Sequence, residues 1–198
     1  FDGSERPRLV HRLDRDTSGV LLLARHVRAA AKLAEAFRHK SARKLYWALV
    51  AGRPKPANGK IDLALIKGKG PGGERMTRDD EEGERAITRY ATVEAAGNRA
   101  SWLVLWPLTG RTHQLRVHCA EGLGCPVVGD GKYGGAAALL GGEAIAPKLH
   151  LHARSIELPQ SAGGRLRIVA PLPEHMLVTW RFFGFDPASE VAPLPEER

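Results

Sequence analysis

The chain has 198 residues, 43% hydrophobic and 26% charged, a composition that suits one globular domain with a real core and excludes intrinsic disorder. No apolar run approaches the roughly 20 residues of a membrane helix, so no membrane partner is expected. The net charge of +8 points to a polyanionic partner, and its distribution sharpens that: residues 1–44 hold 11 Lys/Arg against 5 Asp/Glu, six of the eight net charges.

Around Asp14, residues 8–18 are polar and charged. Gly19 then leads into Val20-Leu21-Leu22-Leu23-Ala24, which reads as a buried strand. Ala30, Leu33, Ala34 and Phe37 recur at helical spacing, so Arg28 to Lys40 is predicted to be an amphipathic helix. From Leu45 to Ala51 the pattern alternates, with Leu45, Trp47 and Leu49 on one strand face and Tyr46, Ala48 and Val50 on the other. Gly52, Pro54 and Pro56 end it. Ile61 to Ile66 is a further short strand, and the Gly-rich, charged stretch from Lys67 to Glu84 reads as a mobile loop.

Ala86 to Ala95 and Ala100 to Leu105 form a predicted hairpin turning at Gly97-Asn98. His113 to Glu121 starts a helix that Gly122, Gly124 and Pro126 stop. Residues 127–148 look irregular, and Leu149 to Leu158 and Arg165 to Ala170 read as closing strands. Thr179 to Phe185 is a short aromatic segment, and residues 187–198 an acidic, Pro-rich flexible tail. Strands outnumber helices and hairpins recur, which predicts an α+β fold with a mixed, mostly antiparallel sheet flanked by helices and loops. Residues 1–186 are expected to be one domain. The chain opens on Phe1 with no signal peptide, as a piece of a longer protein would. Cys119 and Cys125, the only cysteines, lack the spacing of a zinc site and read as reduced thiols, which predicts a cytoplasmic compartment.

Two segments are dense in chemistry. Asp14 lies among Arg12, Arg15 and Asp16, and a carboxylate held by arginines stays ionised and oriented, as a carboxylate nucleophile must be. On this segment alone, a solvent-facing ion pair is the simpler reading. Gly110 to His118 supplies Arg111, Thr112, His113, Gln114 and Arg116 directly after a turn, a set that can bind phosphate or hold a carboxylate. Its two histidines, five apart, lie on different helical faces, and His150 and His152 lack a third ligand, so no metal is expected. Tyr46 by itself would be core packing. Gly68 to Gly73 fits G-x-G-x-x-G in form, but Pro71 interrupts it and no helix follows, so no dinucleotide site is assigned.

Taken together, His11-Arg12-Leu13-Asp14-Arg15-Asp16-Thr17-Ser18-Gly19, Lys44 to Gly52 and Gly110-Arg111-Thr112-His113-Gln114-Leu115-Arg116-Val117-His118 resemble the RluA-type family of RNA pseudouridine synthases. Gly129-Asp130 with Tyr133-Gly134, and Leu149 to Ala153, follow in the right order, so the resemblance spans about residues 8–173. It implies the pseudouridine synthase fold and isomerisation of uridine in structured RNA, large-subunit ribosomal RNA first and tRNA second. Asp14 matches the essential aspartate of that family, Tyr46 the residue that stacks on uracil and takes its C5 proton, and Arg116 the arginine paired with the aspartate. Leu115 matches the apolar wall of the base pocket and Arg12 the residue that fills the gap left by the flipped uridine. Arg111, His113 and Gln114 are expected to bind substrate.

An isomerisation needs neither cofactor nor metal, and the protein is expected to act as a monomer on RNA. The resemblance also implies an earlier strand with a Lys-Pro-x-Gly motif, and in many members an S4-like domain, ahead of Phe1. Two other classes remain open on the residues. One is a non-catalytic RNA-binding ribosome-assembly factor, against which Asp14, Tyr46 and Arg116 all argue. The other is a glycosidase-like hydrolase, for which only Asp16 could be the second carboxylate.

Overall fold

The computed structural model describes residues 6–70, 73–160 and 163–189. Ten strands are β1 (Arg8–Leu9), β2 (Ser18–Gly19), β3 (Leu23–Ala24), β4 (Arg43–Ala51), β5 (Asn58–Gly70), β6 (Gly73–Arg78), β7 (Glu84–Ala96), β8 (Ala100–Pro107), β9 (Leu151–Pro159) and β10 (Arg165–Val169). Among the described residues the α-helices are α1 (Val27–Arg38), the single turn α2 (Gln114–Val117), which runs on into a wider turn at His118–Gly122, and α3 (Glu174–Phe183). Among the described residues one large sheet runs β10-β9-β4-β8-β7-β5-β6 with every neighbour antiparallel, and β2 joins β9 in parallel. The α+β expectation with a mixed, mostly antiparallel sheet is borne out.

Strand β4 is flanked on both edges, by β8 and by β9, and its alternation decides the rest. Leu45, Trp47 and Leu49 point to one face and join Trp102, Val104, Met176 and Trp180, so α3 packs there. Trp102 meets Trp47 at 4.6 Å and Trp180 at 5.7 Å between ring centroids, both edge-on at 65°. Such pairs add about 0.5–1.5 kcal/mol each beyond area burial. Ala48 and Val50 point to the opposite face and pack with Leu103, Leu105, Leu115, Cys119, Val127 and Leu151. The predicted hairpin is present as β7–β8, and Cys119 and Cys125 are buried free thiols.

Three expectations need correction. The apolar run Val20–Ala24 is not one buried strand: Leu21 is 47% and Leu23 53% exposed, and only Leu23–Ala24 is strand, as β3, after the segment that follows β2. The reason is local, since the His11 ring Nε2 accepts the Leu22 N–H at 2.8 Å and removes it from any ladder. The stretch from Lys67 to Glu84 is not a loop throughout. Its described part continues β5 into the β5–β6 hairpin, with Ile66 opposite Thr77 and Lys69 opposite Glu74. Leu65 and Met76 bury against Ala86 and Val117, an apolar anchor that charge content hid. The segment Thr179–Phe185 belongs largely to α3, which ends at Gly184 in the left-handed conformation favourable to glycine. Of the tail 187–198, residues 190–198 lie outside the described residues.

Two buried histidines fix the packing around this core. His150 bonds Thr179 Oγ1 of α3 at 2.9 Å and the Lys148 carbonyl at 2.7 Å, while His118 bonds Thr88 Oγ1 at 2.9 Å. Burial pulls both rings down to about 4. The unfolded chain therefore takes up these protons first: their stabilisation is whole above about pH 6.5 and is lost as pH falls toward 4, on the order of 3 kcal/mol per ring. Urea midpoints are expected to drop between pH 7 and 4.5, and to drop less in His150→Gln. Equal midpoints at both pH values would contradict this.

Candidate active site

A cleft enclosing about 600 Å³, open solvent at its mouth included, lies where β4 begins and β8 ends. The 12–17 loop and the turn after β8 form its rim, with Arg12, Asp14, Tyr46, Arg111, Gln114 and Leu115 among its lining residues. Each wall has a sequence reason. The Asp14 loop is closed by a Thr17 N–H to Asp14 carbonyl bond of 3.0 Å and is then pinned to β9 through β2. Gly19 makes that pinning possible: its φ is +120°, and a Cβ there would stand 2.3 Å from the Ala153 carbonyl oxygen. Ser18 Oγ adds a bond of 2.9 Å to His152 Nδ1.

The Gly110–His118 segment divides its side chains between tasks. Gln114 is a brace: its Oε1 accepts from Thr109 Oγ1 at 2.7 Å and from the Arg111 N–H at 3.0 Å, and its Nε2 donates to the Ile87 carbonyl and Thr88 Oγ1. Leu115 is 7% exposed and faces the cleft with Tyr46 and Leu151. Exposed Arg111 pairs with Glu84 at 2.5 Å. His113 sits at φ +51°, a left-handed conformation for a non-glycine residue, and its Nδ1 meets the Tyr133 hydroxyl at 2.7 Å. Neither His113 nor Arg116 lines the cleft.

Here the structure departs from expectation. Among the described residues Arg116 does not hydrogen-bond Asp14. Its Nε and Nη2 donate to Asp130 at 2.8 and 2.6 Å, a bidentate pair buried with Asp130 only 1% exposed. Asp130 Oδ1 also accepts the backbone N–H groups of Lys132 and Tyr133, both at 3.1 Å. Planar fork and carboxylate align there, whereas Asp14 reaches Arg116 only as a neighbouring charge. That charge also acts on Tyr46, whose phenol is pushed up to about 12 by burial first and by Asp14 second. The His113 ring is held below its ordinary range by burial, against the opposing pull of Asp14.

Asp130, Tyr133 and Lys44 are the residues that sequence reasoning left without a role. Lys44 stands two before Tyr46 on a strand, and period 2 alone puts both on one face. Asp130 lay in a matching Gly-Asp pair, but nothing in the sequence joins it to Arg116.

The sequence pattern of RNA pseudouridylate synthases matches residues 1–121. An RNA pseudouridine synthase of Zymomonas mobilis is 45% identical over 170 residues, covering 85% of this chain and 74% of its own length. This chain belongs to the RNA pseudouridylate synthase family. A ribosomal large subunit pseudouridine synthase C of Rickettsia typhi is 38% identical over 84% of the chain, which spans only 54% of that protein. A solved structure, human RNA pseudouridylate synthase domain containing 4, superposes with a TM-score of 0.77 at 29% identity, covering 91% of this chain and 77% of that one. The family and fold expected from the three motifs are thus borne out.

Asp130→Asn tests the buried pair. It leaves the Arg116 guanidinium without its counter-charge and is expected to lower unfolding stability by about 3–5 kcal/mol. The double change Arg116→Met with Asp130→Leu should recover much of that in the same denaturant titration. A loss under about 1 kcal/mol for Asp130→Asn would mean that the pair does not hold this corner of the fold.

Proposed function

We propose that this protein isomerises specific uridines to pseudouridine in structured RNA, with Asp14 as the nucleophile or catalytic carboxylate. The observation that carries the reading is the shared cleft: Asp14 on one wall, Tyr46 and Leu115 on the others, with the charge of Asp14 felt at the Tyr46 phenol. A uridine must leave its stack to reach Asp14, at a cost of roughly a few kcal/mol. Stacking on Tyr46, worth about 1–3 kcal/mol, and insertion of exposed Arg12 into the vacated position offset part of it. Leu115 and Tyr46 keep water from the uracil after the N1–C1′ bond breaks, so that the base turns and rejoins C1′ through C5.

Tyr46 enters this chemistry as a neutral phenol at neutral pH. Its oxygen takes the C5 proton only as its own proton passes to a neighbouring base, and Asp14 is the group whose charge it feels. Arg116, held by Asp130, is a charge that Asp14 feels without touching it, and in this reading it pairs with Asp14 when RNA is bound. Large-subunit ribosomal RNA is the favoured substrate, supported by the stated target of the Rickettsia typhi relative. The cytoplasm is the favoured compartment, supported by two free thiols and by the lack of any described helix long and apolar enough to cross a membrane.

The test is to incubate the protein and Asp14→Asn with ribosomal RNA and tRNA lacking pseudouridine, then map new pseudouridines. Modification of ribosomal RNA by the unmodified protein alone is expected. Modification of tRNA only would move the substrate, and full activity of Asp14→Asn would overturn the nucleophile.

The β5–β6 hairpin bears on affinity. Lys67 and Lys69 are exposed on it, Lys67 paired with Glu74 at 2.6 Å, and Arg75 lies over the Tyr133 ring at 5.1 Å. Neutralising Lys67, Lys69 and Arg75 together is expected to weaken RNA binding and flatten its salt dependence. An unchanged slope of affinity against salt would exclude this hairpin from the interface.

A further inference from the structure

Lys44 lines the same cleft and has no part in the roles above. Its ammonium lies 3.6 Å from the point where a Cβ on Gly110 would stand, so it sits under the turn that follows β8. Gly110 is exposed and carries no side chain, which leaves the ammonium open on that side.

Several other cations of this protein have carboxylate partners. Buried Arg116 has Asp130, and surface Lys60 and Lys67 have Asp62 and Glu74. Lys44 has no carboxylate at ion-pair distance among the described residues, and burial with no opposing charge holds it below the ordinary lysine range. An ammonium partly withdrawn from water without a counter-ion destabilises the free protein. A carbonyl oxygen of the base could accept one of its hydrogen bonds but could not neutralise it. A phosphodiester does both.

We propose that Lys44, beneath the open backbone of Gly110, is the subsite for a phosphodiester flanking the flipped uridine, anchoring that nucleotide so that its sugar meets Asp14. Lys44 is here a substrate-binding residue and not a proton carrier. The inference rests on the uridine-isomerising reading of the cleft and adds to it the group that fixes the backbone of the substrate.

Kinetics on an RNA hairpin found to be modified in the mapping experiment decide it. The comparison uses that hairpin and two versions with a single uncharged methylphosphonate, 5′ or 3′ of the target uridine. Lys44→Met is expected to raise KM about ten- to hundredfold, leave kcat within about threefold, and lower the salt slope by about one. Lys44→Arg should restore most of the affinity. At one of the two positions the methylphosphonate should raise KM for the unmodified protein but not further for Lys44→Met.

Without RNA, Lys44→Met should melt no lower than the unmodified protein, because a half-buried charge without a counter-ion is gone. Lys44→Gln carries the same comparison if the Met variant does not fold. Equal methylphosphonate penalties in both proteins, a fall in kcat at unchanged KM, or a lower melting temperature for both variants would each overturn the subsite. Failure of the underlying reading looks different: Asp14→Asn would then stay active. An inactive Asp14→Asn beside Lys44→Met with unmodified KM and salt slope overturns the Lys44 assignment alone.

Discussion

Everything in this molecule depends on β4 being covered on both faces and paired on both edges. A strand so placed must alternate apolar residues of different shape toward two different layers, and Leu45 to Ala51 does. Its Trp47 face fills the tryptophan cluster under α3. Its Tyr46 face receives the short helical segment from Gln114 onward and, at its open end, leaves the cleft. A one-residue slip in register would exchange the two layers, sending Tyr46 into the tryptophan core and Trp47 into the cleft. The irregular pairing between β4 and β9 at Leu45/Tyr46 falls at this point, where Arg154 of β9 stacks over the Trp47 ring at 4.4 Å.

On that scaffold the charges are distributed unequally. Arg116 and Asp130 neutralise each other inside the protein and tie the 114–117 turn to the 129–134 segment. Tyr133 extends the tie: its hydroxyl meets His113 and accepts the Met76 N–H at 3.0 Å, so the base of the β5–β6 hairpin connects to the same corner. Asp14 and Lys44 have no such closure among the described residues, and both line the cleft. In the proposed reading the anionic substrate supplies the counter-charge that Lys44 lacks, so the ammonium gains affinity for RNA at some cost to the free fold.

The long, periodic elements were legible in the sequence: α1, β4, the β7–β8 hairpin and β9 all lie where their patterns put them. The errors came from short or charged segments. Leu21 and Leu23 look like core until His11 removes the Leu22 N–H from strand pairing. The charged arms of the β5–β6 hairpin look like loop because their apolar anchors, Leu65 and Met76, are only two residues among many polar ones. That Asp14, Tyr46, Leu115 and Arg12 would share one cleft was readable from three motifs. Gln114, expected to bind substrate, lines the cleft and also braces the Gly110–Arg111 turn against β7, which the sequence did not show.

By itself the sequence determined the family, the residue types of the cleft and the alternation of β4, because these are carried by residues close together in the chain and by a periodicity of two. Only the tertiary structure decided what each buried charge faces. Arg116 and Asp130 are 14 residues apart, and Lys44 and Gly110 are brought together from different elements. Pairing of that kind depends on distance and burial after folding, since a charge's partner is set by what shares its low-dielectric surroundings and not by its neighbours along the chain.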